Sequence, residues 1–274
     1  MKSSLFLTIA TFFLLAPTGF AQNHAYVQMD FGGPVEYVVT DSQGKRSGLN
    51  PTTDTDYDEI PYAGYGDGSS GESREFGFNT ALEDTSFSTT YTIQLFGTGN
   101  GVFKGSVGGR QTLSGKGASF SVLGVIGLNQ TLTYVFNYST DSTVTPTFTK
   151  VVTPQIIKQD FENCYRLGLL GKERLYRDFA HQLNEIVKDV ARKDSLEARK
   201  DLERFGDKLE DVFKETFRDN PQKNAVILGE FEKTHKKFLD LDAYKILSED
   251  ISLILKELPE KHRRGDDHLR RDKI

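Results

Sequence analysis

TYTIQLFGTGNGVFKGSV, residues 90–107, gives the clearest indication of how the first half of the chain folds. Residues 91–96 alternate apolar and polar side chains with period two. Residues 102–107 begin with Val and Phe and end with Val, which are residue types that favour strands. Between them lies GTGNG, residues 97–101, whose glycines favour a tight turn. Two strands joined by a short glycine-rich turn are typical of an antiparallel hairpin. This stretch therefore predicts an antiparallel sheet.

Further strand candidates lie on both sides of this hairpin. The sequence favours strands at 35–40 and 131–138 and, less strongly, at 74–79 and 119–126. About seven short strands separated by glycine turns are typical of an antiparallel β-sandwich. Residues 50–72 interrupt the alternation, and we expect them to form a long polar excursion on the surface.

Composition changes close to residue 149. Residues 22–149 contain 19 Gly and 13 acidic against 6 basic residues, a net charge of −7. Residues 150–274 contain 5 Gly, with 27 basic and 26 acidic residues. The shift predicts a boundary between a β domain at 22–149 and a helical domain at 150–258. The whole chain carries a formal charge of −5, which argues against a nucleic-acid partner.

The second half carries three long apolar stripes with helical spacing. Their members recur every three or four residues, which places them on one face of a helix and leaves the charged side chains outside. A shorter helix is expected around Phe161, and another candidate runs from 226 to 238. Helices that each bury one face must pack together, so we expect a small bundle. The three stripes start at Leu175, Leu196 and Tyr244 and end at Val190, Phe213 and Leu258.

The predicted fold class is therefore α+β with two segregated domains, an all-β antiparallel sandwich followed by an all-α helical bundle. The single cysteine, Cys164, excludes an intramolecular disulfide. Its spacing from Phe161 and Tyr165 puts it on the apolar face of a helix, where it is expected to be a core residue. The charged tail at 259–274 lacks an apolar stripe and is expected to be disordered.

The N-terminus has the pattern of a secretory signal peptide. Lys2 precedes an apolar run from Leu5 to Ala16, and small residues at Gly19 and Ala21 mark a cleavage site. We expect residues 1–21 to be removed after Ala21, leaving a secreted or periplasmic protein. The apolar run is shorter than the about 20 residues that span a bilayer, so no transmembrane segment is expected.

Strand spacing and turn residues in the first half resemble a known module. The matching stretches are GPVEYVVTDSQGKRSGLNP (33–51), DEIPYAGYG (58–66), TYTIQLFGTGNGVFKGSV (90–107) and TLTYVFNYS (131–139). Together they resemble the β-sandwich of bacterial pre-peptidase C-terminal modules, which occur in secreted proteins beside catalytic domains. The resemblance implies an antiparallel sandwich and brings no catalytic residues.

The helical half resembles a second module. The matching stretches are FENCYRLGLL (161–170), LYRDFAHQLNEIV (175–187), LERFGDKLEDV (202–212) and AYKILSEDISLILKEL (243–258). They resemble the FIMAH module of bacterial hydrolases, which is also an accessory. The two resemblances imply an exported, non-catalytic accessory protein that binds an extracellular protein or polysaccharide. The alternative they leave open is a small secreted hydrolase or a regulator of one.

Asp54, Asp56, Asp58 and Glu59 form an acidic run within the polar excursion. Carboxylates at alternating positions can converge on Ca²⁺, which takes six to eight oxygen ligands. The EF-hand template is not matched, because Glu59 stands where that loop needs glycine. A solvated acidic loop and a calcium-stabilised structural module therefore both remain open, and no other cofactor is expected.

Three tyrosines in the same segment are candidate binding residues. Tyr57, Tyr62 and Tyr65 each offer a large amphipathic surface to a partner. Their alternative role is to anchor the segment onto the sheet. The sequence contains no G-x-S-x-G nucleophile motif and no H-E-x-x-H metal motif, and we predict that the protein is not an enzyme.

Overall fold

The computed structural model describes most of the chain. The predicted signal peptide, the predicted tail after residue 259 and most of the helix candidate at 226–238 lie outside the described residues. The described residues are 24–68, 73–81, 87–111, 117–141, 143–219 and 237–259.

Strands fill the N-terminal part of the described chain, and every pair of neighbouring strands is antiparallel. The strands are β1 His24–Gly32, β2 Val35–Thr40, β3 Arg46–Asn50, β4 Thr55–Asp58, β5 Ala63–Asp67, β6 Ser73–Ala81, β7 Ser88–Gly97, β8 Gly101–Gln111, β9 Gly117–Ile126, β10 Thr131–Ser139 and β11 Thr147–Lys150. They form a five-stranded sheet in the order β5-β6-β1-β8-β9 and a six-stranded sheet in the order β11-β10-β7-β2-β3-β4.

Both sheets contribute to one apolar core. In β1, Val27, Met29 and Phe31 are fully buried while Gln28 between them is exposed, as the two-residue period of a strand requires. The six-stranded sheet supplies alternating aromatic and aliphatic residues to the same cluster. Its fully or almost fully buried members there are Tyr37, Val39, Tyr91, Ile93, Leu95, Leu132, Tyr134, Phe136 and Tyr138.

Helices fill the C-terminal part. They are α1 Pro154–Arg166, α2 Glu173–Ala191, α3 Ser195–Asp219 and α4 Leu241–Glu257. Thr153 caps α1, because its hydroxyl accepts a hydrogen bond from the backbone N–H of Ile156 at 3.3 Å and Pro154 follows at the first helical position. A two-stranded ribbon of β12 Leu170–Gly171 and β13 Phe238–Leu239 lies among the helices. The prediction of antiparallel strands followed by helices is confirmed.

The helices pack on one another and on the five-stranded sheet. Their core contains Cys164, which is fully buried as predicted, and it extends to Val125 of β9. Val102 and Leu123 point away from the sheet core and pack against the same helical cluster. One end of the sheet's outer face is therefore covered by the helices. None of the described helices is long and apolar enough to cross a membrane.

Three features of the strand-rich part differ from the expectation. β1, the central strand of the five-stranded sheet, was not expected at all. Residues 50–72 are not only a surface excursion, because β4 and β5 within them extend the two sheets at their edges. The composition boundary between residues 149 and 150 falls inside β11, whose last residue is Lys150.

Candidate functional site

A groove runs along the outer face of the five-stranded sheet. It extends from the helical part to the start of β1 and the end of β8. Two adjoining cavities of about 460 and about 650 Å³ share Ser106 and make up this groove. We call it the outer groove, and its facing residue pairs, from the far end towards the helices, are Tyr26 and Arg110, Gln28 and Gly108, Asp30 and Ser106, and Gly32 and Lys104.

The far end of the outer groove carries an aromatic ring. The Tyr26 hydroxyl lies 3.9 Å from the point where a Cβ on Gly77 of β6 would stand, so the ring leans across the neighbouring strand. A Cβ on Gly64, the partner of Gly77 on β5, would contact nothing within 4 Å. The Arg110 guanidinium lies 5.5 Å from the centre of the Tyr26 ring. The Tyr26 hydroxyl thus lies near Gly77, and the Arg110 guanidinium lies over the ring.

The middle of the outer groove presents hydrogen-bonding groups. Gln28 is exposed, and its Nε2 donates to Glu75 Oε1 at 2.6 Å. Asp30 Oδ1 is buried and has no hydrogen-bond partner within the described residues. A buried carboxylate oxygen without a donor is unfavourable, which makes Asp30 an exception among the buried polar groups of the described residues.

The helical part closes the other end of the groove. Asp242, in the first turn of α4, lines the cavity that also contains Asp30 and Ser106. Lys104 Nζ lies 3.8 Å from Asp242 Oδ2 across this end. The Asp240 side chain caps α4 by accepting from the backbone N–H of Asp242 at 2.8 Å, which fixes the position of this turn.

A buried ionic cluster joins the strand-rich part to the helices. Lys150, at the end of β11, donates from Nζ to Asp160 Oδ2 of α1 at 2.6 Å. The same ammonium donates to Asp250 of α4, at 2.7 Å to Oδ1 and 3.0 Å to Oδ2. Lys150 is 8% exposed, Asp160 0% and Asp250 1%. We call these three residues the buried triad.

The remaining polar atoms around the buried triad are also paired. Asp160 Oδ1 accepts from Gln130 Nε2 at 3.2 Å, and Gln130 Oε1 accepts from Asn163 Nδ2 at 2.7 Å. The same oxygen accepts from the backbone N–H of Gly127 at 2.8 Å. The turn between β9 and β10 is thereby tied to α1. A network with every group satisfied fixes one arrangement of the elements that carry it.

Burial raises the pKa of Asp250 to about 8, while the Lys150 ammonium acts in the opposite direction and the Asp160 carboxylate raises it further. Attraction to the two carboxylates outweighs burial at Lys150 and keeps the pKa of its ammonium above the usual range. Burial also raises the pKa of Tyr134, which lies beside the triad on β10. At neutral pH burial therefore favours the protonated form of the Asp250 carboxyl group.

The four predicted calcium ligands do not gather at one point. Asp54, Asp56 and Asp58 are exposed around β4, and Glu59 pairs with Arg46 at 2.9 Å. The Arg46 guanidinium holds the pKa of Glu59 below its usual value through its hydrogen bonds. In the part of the chain that the structure describes, no three His, Cys, Asp or Glu side chains are grouped so that they could hold a metal ion. The calcium site stays a prediction from the sequence.

The three predicted binding tyrosines have separate surroundings. Tyr57 lies under the Arg46 guanidinium, 4.0 Å from its ring centre. Tyr62 is 82% exposed and has a left-handed backbone with φ of 63°. Tyr65 is half-buried and donates from its hydroxyl to Glu36 Oε2 at 2.5 Å. The structure leaves only the Tyr62 side chain largely free for a partner.

Tyr65 belongs to a second partly buried network. Glu36, which is 9% exposed, also accepts from Arg74 Nε at 2.8 and 3.0 Å. The Tyr37 ring meets the Tyr65 ring edge to face with centres 4.9 Å apart. Burial, and then the hydrogen bond to Glu36, raise the pKa of Tyr65. This network fastens β5 and β6 to β2, which is the anchoring role.

Sequence reasoning missed both the outer groove and the buried triad. The groove depends on β1, whose apolar residues alternate at 25, 27, 29 and 31, a pattern that was available. Asp160 and Asp250 each occupy a position in an apolar helical stripe, since Cys164 and Ile254 lie four residues after them and are buried. A carboxylate at such a position is a usable signal, because it needs a partner.

Comparisons with known proteins add no relative. No model of a protein family matches this chain, and no curated protein matches it. The groove and the triad are therefore interpreted from their own geometry.

Replacing Tyr65 by Phe should lower the free energy of unfolding by about 1.5–3 kcal/mol, because it removes a hydrogen bond to a charged group. The matched control is Tyr62→Phe, which removes an equivalent hydroxyl from an exposed side chain and should change stability by less than about 0.5 kcal/mol. Urea unfolding of both variants measures the difference. Equal stability of the two variants would contradict the anchoring role of Tyr65.

Replacing Lys150 by Met should lower the free energy of unfolding by about 3–5 kcal/mol, because it leaves two buried carboxyl groups without their cation. Asp250→Asn keeps an acceptor for Lys150 and should cost about 1 kcal/mol or less. Urea unfolding at neutral pH orders the two variants. A Lys150→Met protein as stable as Asp250→Asn would show that the triad carries no such constraint.

Comparing wild type with Asp250→Asn at different pH values gives a second test of the triad. The pKa of Asp250 is raised from 3.8 to about 8 on folding, so the native state holds its proton more tightly than the unfolded state. Its contribution to stability is complete below about pH 4 and is lost as the pH rises towards about 8. Wild type should therefore lose stability relative to Asp250→Asn over that interval. A constant difference would contradict the assignment.

Proposed function

We propose that this protein is exported and non-catalytic, and that it binds an extracellular polymer or protein in the outer groove. In this proposal the two sheets form a β-sandwich module and the four helices a bundle, in keeping with the resemblances to pre-peptidase C-terminal and FIMAH modules. The observation that supports it best is the outer groove itself, two adjoining cavities that share the exposed Ser106 and run along β1 and β8.

The dimensions of the outer groove favour an extended ligand. Four residue pairs, from Tyr26 and Arg110 to Gly32 and Lys104, line it along the strands. At about 3.3 Å per residue, the six steps from Tyr26 to Gly32 span roughly 20 Å. Polar groups recur along this length, which suits a chain with a repeating set of hydrogen-bonding groups better than a single small molecule.

The helical part has a positioning role in this proposal. Asp242 of α4 lines the end of the groove, and α4 is held to β11 and α1 through Asp250 in the buried triad. Because the Lys150 ammonium reaches Asp160 and Asp250 together only in one arrangement, it fixes α4 relative to the sheet. The end of the groove therefore has a defined shape before a ligand binds.

The hydrolase alternative has less support. Its acid and base would have to reach a substrate, and Asp160 and Asp250, which both accept from Lys150 Nζ, are 0% and 1% exposed. The calcium-stabilised module remains an alternative that rests on the sequence of residues 54–59 alone.

Filling the groove tests the proposal. Ser106 is exposed and lines both cavities, so Ser106→Trp should block them without entering the core. The matched control is Ser88→Trp, which changes an exposed strand serine of the six-stranded sheet. Full-length mature protein is sedimented with washed bacterial extracellular matrix. We expect wild type and Ser88→Trp to co-sediment and Ser106→Trp to remain in solution. Equal sedimentation of all three would exclude the groove as the binding surface.

A further inference from the structure

We propose that the buried triad is the precursor of a covalent crosslink, an amide bond between Lys150 Nζ and Cγ of Asp250 that forms inside the folded chain with loss of water. Asp160 is the base of this reaction. The inference concerns a modification site and does not depend on the outer groove. It is drawn from the composition, the geometry and the burial of the triad.

The triad holds one carboxyl group more than the charge of Lys150 requires. Lys150 Nζ donates to Asp160 at 2.6 Å and to Asp250 at 2.7 Å, and none of the three residues is more than 8% exposed. One carboxylate is enough to neutralise a buried ammonium, and a second adds a cost of desolvation and repulsion between like charges. An amine beside two carboxyl groups is, however, the set that amide formation needs. One carboxyl group is then the electrophile and the other is the proton acceptor.

Asp250 is the carboxyl group that is placed for attack. Lys150 Nζ lies 2.7 Å from its Oδ1 and 3.0 Å from its Oδ2. Contact with both oxygens puts the nitrogen within about 3.3 Å of Cγ between them, and reacting atoms about 3–3.5 Å apart are close to the attacking geometry. Asp160 accepts from the ammonium with Oδ2, while its Oδ1 accepts from Gln130 Nε2 at 3.2 Å. This orientation suits Asp160 to take a proton.

The surroundings supply the protonation states that the reaction needs. Burial raises the pKa of Asp250 to about 8, against the pull of Lys150, so its carboxyl group holds a proton at neutral pH and presents no negative charge to the amine. Attraction to the carboxylates keeps Lys150 charged until Asp160 takes one proton. That transfer turns an ion pair into two neutral groups, which a dry site favours. Tyr134, the partner of Lys150 across β10 and β11, and Cys164, four residues after Asp160, are buried beside the triad and exclude water.

The reaction balances without any further reactant. The ammonium first gives one proton to Asp160 Oδ2, which leaves a neutral amine. The nitrogen lone pair then forms a bond to Cγ of Asp250, and the electron pair of the C=O bond moves to its oxygen. As the carbonyl forms again, the bond from Cγ to the hydroxyl breaks, and this hydroxyl takes a second proton from the nitrogen and leaves as water. The product is a neutral amide beside a protonated Asp160.

The crosslink would join the end of β11 to α4. Lys150 and Asp250 are 100 residues apart, so the bond closes a loop that contains α1, α2 and α3. A crosslink over such a length restricts the unfolded chain as a disulfide does, and this chain has a single cysteine. The ionic triad is the state before the bond forms, so the urea and pH comparisons given for it apply to chains at full sequence mass.

The intact mass of the full-length mature protein tests the proposal. Wild type should be lighter than its sequence by one water, about 18 Da. Lys150→Met, which has no amine, and Asp160→Asn, which has no base, should show no such loss. The matched control is Lys188→Met, because Lys188 Nζ lies 2.7 Å from Glu185 Oε1 on the exposed surface, the same distance as in the triad. This variant should keep the wild-type loss.

Tryptic digestion of wild type locates the bond and does not depend on the folding of any variant. Trypsin does not cleave after an acylated lysine, so the linked protein should yield residues 117–158 joined to residues 246–256. Tandem mass spectrometry of this branched product identifies the joined lysine and aspartate, which would support the proposal. Wild type at its full sequence mass, a loss of water that Lys150→Met or Asp160→Asn shares, or a digest in which the two segments are separate would overturn it.

Discussion

A single buried ammonium, that of Lys150, holds the strand-rich and helical parts of this protein in one arrangement. It ends β11 and donates to carboxylates on α1 and α4, two helices that are far apart in sequence. Burying three ionisable groups is costly unless each is paired, and pairing here requires all three elements at once. Apolar contacts through Val125 and Leu123 of β9 also join the helices to the strands, and the triad adds a directional constraint.

The position of α4 matters because it forms one end of the outer groove. Asp250 is fixed by Lys150, and eight residues earlier in the same helix Asp242 lines the cavity beside Asp30 and Ser106. A rigid helix transmits that constraint over about two turns. The sheet supplies the length and floor of the groove, and the helices supply its closed end. The strands and the helices, although they are segregated in sequence, thus both line the outer groove.

The sequence predicts the secondary-structure elements better than it predicts the contacts between them. Alternation and helical spacing identify the hairpin at 90–107 and the stripes that begin at Leu175 and Tyr244, because these patterns are local. β4 escapes prediction since its acidic, exposed residues have little strand propensity, and it forms by pairing with β3. Lys150 escapes for a stronger reason, because its partner Asp250 lies 100 residues away and nothing beside it in the sequence marks it as buried. Tyr65 was a candidate ligand contact, and its hydroxyl is engaged by Glu36, which only the folded chain brings near.

Thermal unfolding followed by two probes tests the central claim, that the buried triad makes the two parts one unit. Near-ultraviolet circular dichroism reports mainly the tyrosines of the strand-rich part, which holds eight of the eleven, and ellipticity at 222 nm reports the helices. For the intact mature protein we predict coincident transitions, with equal calorimetric and van't Hoff enthalpies. A helical transition that precedes or follows the loss of the tyrosine signal would contradict the claim, because the two parts would then fold independently of Lys150.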